Sequence, residues 1–128
     1  MTKILGIDFG LSKIGLAVSE GILAEPLKVL RFNTTEDALV KIVQLVEMEE
    51  IEVIVVGISE GEMGKKSKEF GEILKKKLKI KVDYQDETLT TYTAQELSRD
   101  AGIGRKKRRE MEDAYSAALI LQSYIDLH

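Results

Sequence analysis

Two short apolar runs flank a polar turn near the beginning of the chain. They cover residues 3–8 and 14–18, and Gly10 lies in the turn between them. Such a pattern predicts two strands joined by a tight hairpin. A third apolar run over 27–32, introduced by Pro26, predicts a third strand. The connections are too short for crossovers, so we expect these three strands to form an antiparallel meander.

The rest of the chain alternates between helical and strand patterns. Apolar residues recur at helical spacing after Thr34 or Thr35, either of which can cap a helix that runs to about residue 50. The run 53–57 has no polar alternation and is typical of a strand buried on both faces. The further elements that we predict are a glycine-rich loop over 58–64, a lysine-rich helix with Phe70, Ile73, Leu74 and Leu78 on its apolar side, a strand over 81–85, a helix over 89–100 capped by Thr90 or Thr91, a basic linker over 101–109 and a last helix over 110–126.

This order predicts an α/β fold with a central five-stranded mixed sheet flanked by helices. Strands that follow helices should lie parallel to the first strand, because helical crossovers return the chain to the same edge. The sheet would then combine a three-strand antiparallel meander with two parallel strands. The chain has 128 residues, of which 44% are hydrophobic and 32% charged. We therefore expect one domain over 1–128 with a single core.

The composition excludes several kinds of chemistry. There is no cysteine, and the one histidine is His128. Disulfides, thiolate metal sites and histidine-based triads are therefore not expected. No apolar run approaches the roughly 20 residues that cross a bilayer. We expect a cytoplasmic protein with no membrane partner, whose chemistry depends on carboxylates, hydroxyls, lysines or a hard metal ion.

Positive charge is concentrated in two segments, although the net charge is −3. Residues 62–81 contain eight lysines and three glutamates, and residues 105–109 are all basic. A polyanion could dock on such a surface, whereas a solvated helix face is the commoner meaning of a lysine run. The candidate nucleic-acid contacts are Lys13, Lys65, Lys66, Arg105, Lys106, Lys107, Arg108 and Arg109.

Acidic residues end the first and the last of the predicted strands. Asp8 ends the first strand, and Asp86 and Glu87 end the last. The carboxyl ends of parallel strands meet at one edge of a sheet, so these acids can converge. Asp113, near the start of the last helix, is a further candidate, and Glu110 lies one turn before it. Each of these acids could instead be a turn residue or a first-turn acid of a helix.

Gathered carboxylates repel one another unless hard cations lie between them. Mg²⁺ or Mn²⁺ is therefore the expected cofactor. Two such ions about 4 Å apart can activate a water molecule and stabilise the leaving oxygen of a phosphodiester. We expect a two-metal site in which the basic segments hold the nucleic-acid backbone.

The block from Asp86 to Thr91, Asp-Glu-Thr-Leu-Thr-Thr, is the most specific motif of the chain, whereas an isolated Asp-x-Gly is common. Together with further segments, this block makes the chain similar to the YqgF, or RuvX, family of nucleases. The matching segments, which span nearly the whole chain, are residues 6–10, 14–19, 25–27, 55–57, 86–91 with Ala94, 112–114, 117–118 and 120–122.

The resemblance implies a ribonuclease H-like fold and divalent-metal cleavage of phosphodiesters. Carried over by position, it implies that Asp8, Glu87 and Asp113 are the catalytic acids and the metal ligands. The family is associated with maturation of the 5′ end of pre-16S ribosomal RNA, and by an older inference with resolution of Holliday junctions. Structured RNA or branched DNA would then be the partner. The resemblance leaves the oligomeric state open between monomer and homodimer.

The chain departs from the family pattern in three places. The family usually has a threonine and two basic residues after Asp-x-Gly, an arginine after Asp-Glu, and a proline with an Asn-x-Asp-Gly-like loop after the Val-Val-Gly strand. All three acids remain. This chain has Leu11, Ser12 and Lys13 at the first place, Thr88 at the second, and Ser59 with residues 60–64 at the third.

Two other functions compete with the nuclease. A phosphotransferase of the actin and sugar-kinase type also begins with an Asp-x-Gly hairpin, but it needs a second domain that 128 residues cannot supply. A nucleic-acid-binding module without turnover would explain the missing basic residues around Asp8 and Glu87.

Overall fold

The computed structural model describes residues 2–87 and 105–128, the segment 105–109 through its backbone alone. The described residues form five strands and three helices. In chain order these are β1 (Ile4–Phe9), β2 (Lys13–Ser19), β3 (Ala24–Arg31), α1 (Thr35–Met48), β4 (Val53–Ile58), α2 (Glu62–Leu78), β5 (Lys81–Asp86) and α3 (Arg105–Leu127).

The strands form one mixed sheet in the order β3-β2-β1-β4-β5. The pairs β1–β2 and β2–β3 are antiparallel, whereas β1–β4 and β4–β5 are parallel. The predicted meander with two added parallel strands is therefore confirmed. In this register Asp8 lies opposite Gly15, and Gly57 lies opposite Gln85.

The alternation of side chains divides the sheet into two faces, each with its own apolar core, so the expected single core is wrong: the sheet separates two of them. Leu5, Ile7 and Leu16 belong to a core that α1 and part of α2 complete. Ala17 and Val55 belong to the opposite core, which includes the buried face of α3. The helices thus lie on both sides of the sheet, as expected when the parallel strands are buried on both faces.

The predicted α1 is confirmed, whereas the apolar side predicted for α2 is right only in part, and α2 begins at Glu62, inside the loop predicted over 58–64. The Thr34 hydroxyl accepts a hydrogen bond from the Asp37 amide at 3.1 Å, so Thr34 is the N-cap. On α2, Phe70 and Leu74 are buried as predicted. Ile73, which we placed on the apolar side, is exposed. The buried face of α2 includes the small residues Ser67 and Gly71 beside Phe70 and Leu74, and Ile73 lies outside this face.

The last helix begins five residues earlier than the sequence predicted. We expected a basic linker up to Arg109, but the backbone is already helical at Arg105. Lysine and arginine are good helix formers, and neither glycine nor proline follows Gly104. The predicted helix over 89–100, with its caps Thr90 and Thr91, and the linker residues 101–104 lie outside the described residues.

Length alone would allow α3 to cross a bilayer, since it has 23 residues. Its charged first turns and its polar stripe prevent this. Within the described ranges, no helix is both long and apolar enough to span a membrane.

Three glycines on one face of the sheet allow α3 to approach closely. A Cβ atom on Gly15 would lie 1.8 Å from the carbonyl oxygen of Asp113. Cβ atoms on Gly6 and Gly57 would lie 2.8 Å from Leu121 Cβ and 2.5 Å from Ile120 Cδ1. We call Gly6, Gly15 and Gly57 the glycine floor. A side chain at Gly15 would push the helix away from the sheet, because it would meet backbone atoms of Asp113 and Ala114.

We predict that Gly15→Ala lowers the free energy of unfolding by about 3 kcal/mol, because the added methyl group meets backbone that cannot rotate away. Urea denaturation followed by circular dichroism measures this change.

The matched control is Gly71→Ala on α2, where the three nearest atoms to the new methyl group are side-chain atoms of Tyr84, two ring carbons and the hydroxyl oxygen. We expect this variant to stay within about 1 kcal/mol of the parent, because helix propensity offsets the contact. Equal stability of Gly15→Ala and the parent would contradict the close approach of α3.

Candidate active site

Asp8 is the central acid of the site. It is the fifth residue of β1 and lies on the same face as the glycine floor, partly shielded from solvent. Burial, then the charge of Glu87 and then the charge of Asp113 raise the pKa of Asp8 from 3.8 to about 7. A hydrogen bond between the Asp8 and Glu87 carboxyl groups acts in the same direction. The three acids therefore interact as one electrostatic group.

Glu87 reaches Asp8 across an intervening strand. It follows β5 directly, whereas Asp8 is on β1, and β4 lies between them. The strand residue beneath this crossing is Gly57, where a Cβ atom would lie 2.9 Å from Glu87 Oε1. Because Gly57 has no side chain, the Glu87 carboxyl group can pass over β4 to Asp8.

Asp113 is brought to the site by α3. Its carbonyl oxygen is seated over Gly15, the residue that pairs with Asp8. Its carboxylate makes an ion pair with Lys13, with 3.0 Å between Oδ2 and Nζ. The Lys13 side chain is 43% exposed and that of Asp113 is 28% exposed. Lys13 is the first residue of β2, so the ion pair spans the sheet and the helix.

Two of the acids, Asp8 and Glu87, thus contact each other, whereas the third, Asp113, contacts Lys13. Within the described ranges, no group of three or more histidine, cysteine, aspartate or glutamate side chains is arranged to hold a metal ion. The donor set nevertheless fits a hard divalent cation, since it consists of carboxylate oxygens alone. The raised pKa of Asp8 has the origin expected of carboxylates that lack a cation between them.

Asp86 and Glu110 take other positions. Asp86 is exposed and pairs with Ile58. It lines a cavity of about 400 Å³ with Ser59, Lys68 and Tyr84. Alternation along β5 places Asp86 and Glu87 on opposite faces of the sheet. Glu110 is exposed, one turn before Asp113.

The predicted nucleic-acid contacts lie around the same edge of the sheet. Lys65 and Lys66 are exposed near the start of α2, which follows the end of β4. Lys65 is 3.8 Å from Glu62. The five basic residues 105–109 form the start of α3, where the structure describes only their backbone. At 1.5 Å per residue they precede Asp113 by roughly 6–12 Å along the helix axis.

The glycine floor and the Lys13–Asp113 ion pair were not predicted from the sequence. Small residues at alternate positions of β1 and β2, together with alanines on α3, were the available indication of a close helix. Gln85 was also missed: it is 4% exposed, and its Nε2 has no hydrogen-bond partner in the described part of the chain. It lies on the same side of β5 as Glu87, two residues away.

A mixed five-stranded sheet in the order β3-β2-β1-β4-β5, with helices on both faces, defines the ribonuclease H-like class of fold. The chain belongs to the RuvX family: the sequence profile of that family, described as Holliday junction resolvase, matches residues 2–127. The predicted enzyme class, a hydrolase acting on phosphodiester bonds, is thereby confirmed. Nucleases of this class generally use divalent metal ions.

Curated relatives match along nearly their whole length. A protein of Agathobacter rectalis is 35% identical over 135 residues, which cover 97% of this chain and 94% of the relative. One from Levilactobacillus brevis is 34% identical over 98% of this chain and 94% of its own. Both are named as candidate pre-16S rRNA nucleases.

Solved structures support the fold at much lower identity. The RuvC protein of Thermus thermophilus in complex with a Holliday junction has a TM-score of 0.67 at 14% identity, covering 99% of this chain and 96% of RuvC. The Holliday junction resolvase of fowlpox virus has a TM-score of 0.65 at 13% identity, covering 98% and 99%. The predicted ribonuclease H-like fold is thus confirmed.

We predict that, in EDTA, stability falls as the pH rises through the window between 3.8 and about 7. In that window folded Asp8 retains a proton that the unfolded chain has released, because its folded pKa is raised. Asp8→Asn should remove this dependence and stabilise the protein at pH 8 by on the order of 2 kcal/mol.

Thermal unfolding of both proteins across this pH range provides the measurement, with Glu20→Gln, an exposed acid in the turn after β2, as the control. A pH profile of Asp8→Asn parallel to that of the parent would contradict the electrostatic grouping of the acids.

Proposed function

We propose that this chain is a divalent-metal-dependent nuclease that uses Asp8, Glu87 and Asp113 as catalytic acids and metal ligands. The observation that carries the proposal is geometric: Glu87 lies over Gly57 on its way to Asp8, and α3 brings Asp113 over Gly15, which pairs with Asp8. Burial and the charges of Glu87 and Asp113 raise the pKa of Asp8 accordingly. Three acids from distant parts of the chain share one electrostatic environment at one edge of the sheet. Such an arrangement costs stability, which a cation site explains and a purely structural role does not.

The three acids would hold Mg²⁺ or Mn²⁺, the hard cations that suit an all-oxygen site. When bound in a pair, such ions activate a water molecule and stabilise the leaving oxygen of a phosphodiester. Asp8 and Glu87 contribute adjacent carboxyl groups, and α3 contributes Asp113 from the other side. Relief of the repulsion at Asp8 would then contribute to the binding of the cation.

The proposed substrate is the 5′ end of pre-16S ribosomal RNA. Curated relatives at about 35% identity carry the name of a nuclease for this RNA. The alternative is a four-way DNA junction, which the family description and the resolvase structures favour. We propose that one nuclease domain over 1–128 acts in the cytoplasm, where ribosomal precursors are processed.

The basic segments at this edge would hold the nucleic-acid backbone. Lys65 and Lys66 lie at the start of α2, on one side of the sheet edge, and residues 105–109 lie at the start of α3, on the other. A structured substrate that bridges them would pass over the acids. Phosphate contacts of this kind position a substrate without reading its sequence.

We predict that Asp8→Asn, Glu87→Gln and Asp113→Asn each abolish cleavage, since each removes a proposed metal ligand. The assay offers a pre-16S ribosomal RNA fragment and a four-way DNA junction side by side, with Mg²⁺ or Mn²⁺.

Asp37→Asn is the matched control, because Asp37 is also a partly exposed acid in an ion pair with a lysine, but on α1. It should cleave as the parent does. Cleavage of the junction alone would select the alternative substrate. Unchanged cleavage in all three site variants would end this assignment of roles, and no cleavage by the parent would favour a binding module.

We predict that replacing Arg105, Lys106 and Lys107 by glutamine weakens nucleic-acid binding and reduces its salt dependence. Each lost phosphate contact should lower the slope of log K against log salt by about 0.7 to 0.9. Fluorescence anisotropy at several salt concentrations measures the slope.

The matched control replaces Lys75, Lys76 and Lys77, three basic residues in the last turn of α2, at the end of that helix remote from its start. Their loss should leave the slope nearly unchanged. An equal reduction in both triple variants would mean that only overall charge matters.

A further inference from the structure

Lys13 has a partner that its expected role on the nucleic acid does not explain. Its ammonium group lies 3.0 Å from Asp113, one of the three acids of the proposed site. Ion pairs between exposed groups are weak. In this pair, however, the Asp113 side chain is partly shielded from solvent, with 28% of it exposed. The ion pair therefore fixes the direction in which the Asp113 carboxylate points.

The backbone of Lys13 is held in place, while its head group can move. The Lys13 carbonyl accepts a hydrogen bond from the Gly10 amide at 3.0 Å, and Lys13 pairs with Arg31 on β3. The side chain is 43% exposed and has a flexible four-carbon stem. The ammonium group can thus leave Asp113 without any change in the fold.

The other two acids are occupied with each other. Asp8 and Glu87 are joined by a hydrogen bond, and Asp113 is turned to Lys13. The described residues contain no set of three such ligands arranged around one point. Lys13 contacts Oδ2 of Asp113, and its positive charge disfavours a cation at the same carboxylate.

We propose that Lys13 is a positioning residue that acts as the built-in counter-ion of Asp113 and releases it when a nucleic-acid phosphate draws the ammonium group away. This inference rests on the proposed function. A divalent cation alone must compete with Lys13 for Asp113. With nucleic acid bound, the competition ends, so cation and nucleic acid bind cooperatively, and each strengthens the other by the same factor.

Titration calorimetry with Mn²⁺ alone tests the competition. We expect Lys13→Met to bind Mn²⁺ about three- to tenfold more tightly than the parent, because a competing positive charge is gone. Lys13→Arg should bind it as the parent does. Lys41→Met is the matched control, since Lys41 makes a 3.2 Å ion pair with Asp37 and is equally exposed. A purely structural role for Lys13 would predict unchanged or weaker binding of Mn²⁺ by Lys13→Met, and that result would overturn the proposal.

Anisotropy with a short RNA hairpin, in EDTA and with Ca²⁺ in place of Mn²⁺ to keep the RNA intact, tests the cooperativity. We expect Ca²⁺ to tighten binding about fivefold for the parent and less than half as much for Lys13→Met. Equal tightening in both proteins would also overturn the proposal.

Asp113→Asn separates this inference from the proposed function. Mn²⁺ binding by Asp113→Asn equal to that of the parent would mean that the proposed metal site has failed. Weaker binding by Asp113→Asn with no gain in Lys13→Met would mean that only the role of Lys13 has failed.

Discussion

The close approach of α3 to the sheet is the constraint on which the rest of the site depends. The carbonyl oxygen of Asp113 packs against Gly15, where a methyl group could not fit. Gly57 leaves room for the side chains of both Ile120 and Glu87. The same two glycines that allow the helix to pack also allow two of the acids to reach Asp8. Core packing and the geometry of the site therefore depend on the same glycines, and a larger residue at Gly15 or Gly57 would disturb both.

Bringing the acids together has an electrostatic cost, and a protonation and an ion pair reduce it. Asp8 retains its proton to a pH of about 7, since burial and the charges of Glu87 and Asp113 raise its pKa. Asp113 is compensated by Lys13 instead. Protonation of one acid and an ammonium group beside another both reduce the negative charge of this centre. This explains how so acidic a centre is compatible with a stable fold.

The sequence predicted the sheet better than it predicted the contacts of the candidate acids. The apolar run over 53–57, which has no polar alternation, predicts a buried parallel strand, and the short connections of the first three strands predict an antiparallel meander. Both are local patterns, so the sequence alone was sufficient for the mixed sheet. The contact between Asp8 and Glu87 depends on the absence of a side chain at Gly57, on a strand that neither acid belongs to. The predicted start of α3 was wrong for a local reason. Gly102 and Gly104 suggested a linker, whereas the helix begins at Arg105, directly after them. The Lys13–Asp113 pair joins residues a hundred positions apart, which no pattern along the chain could reveal.

The central claim is that Asp8, Glu87 and Asp113 form one divalent-cation site on the glycine floor. A crystal structure of the protein grown with Mn²⁺, with the metal located by its anomalous scattering, tests it most directly. The account predicts manganese bound to Asp8, with Glu87 and Asp113 completing its protein ligands and Lys13 turned away from Asp113. Manganese bound elsewhere, or Asp113 still paired with Lys13 beside a fully occupied metal, would contradict it.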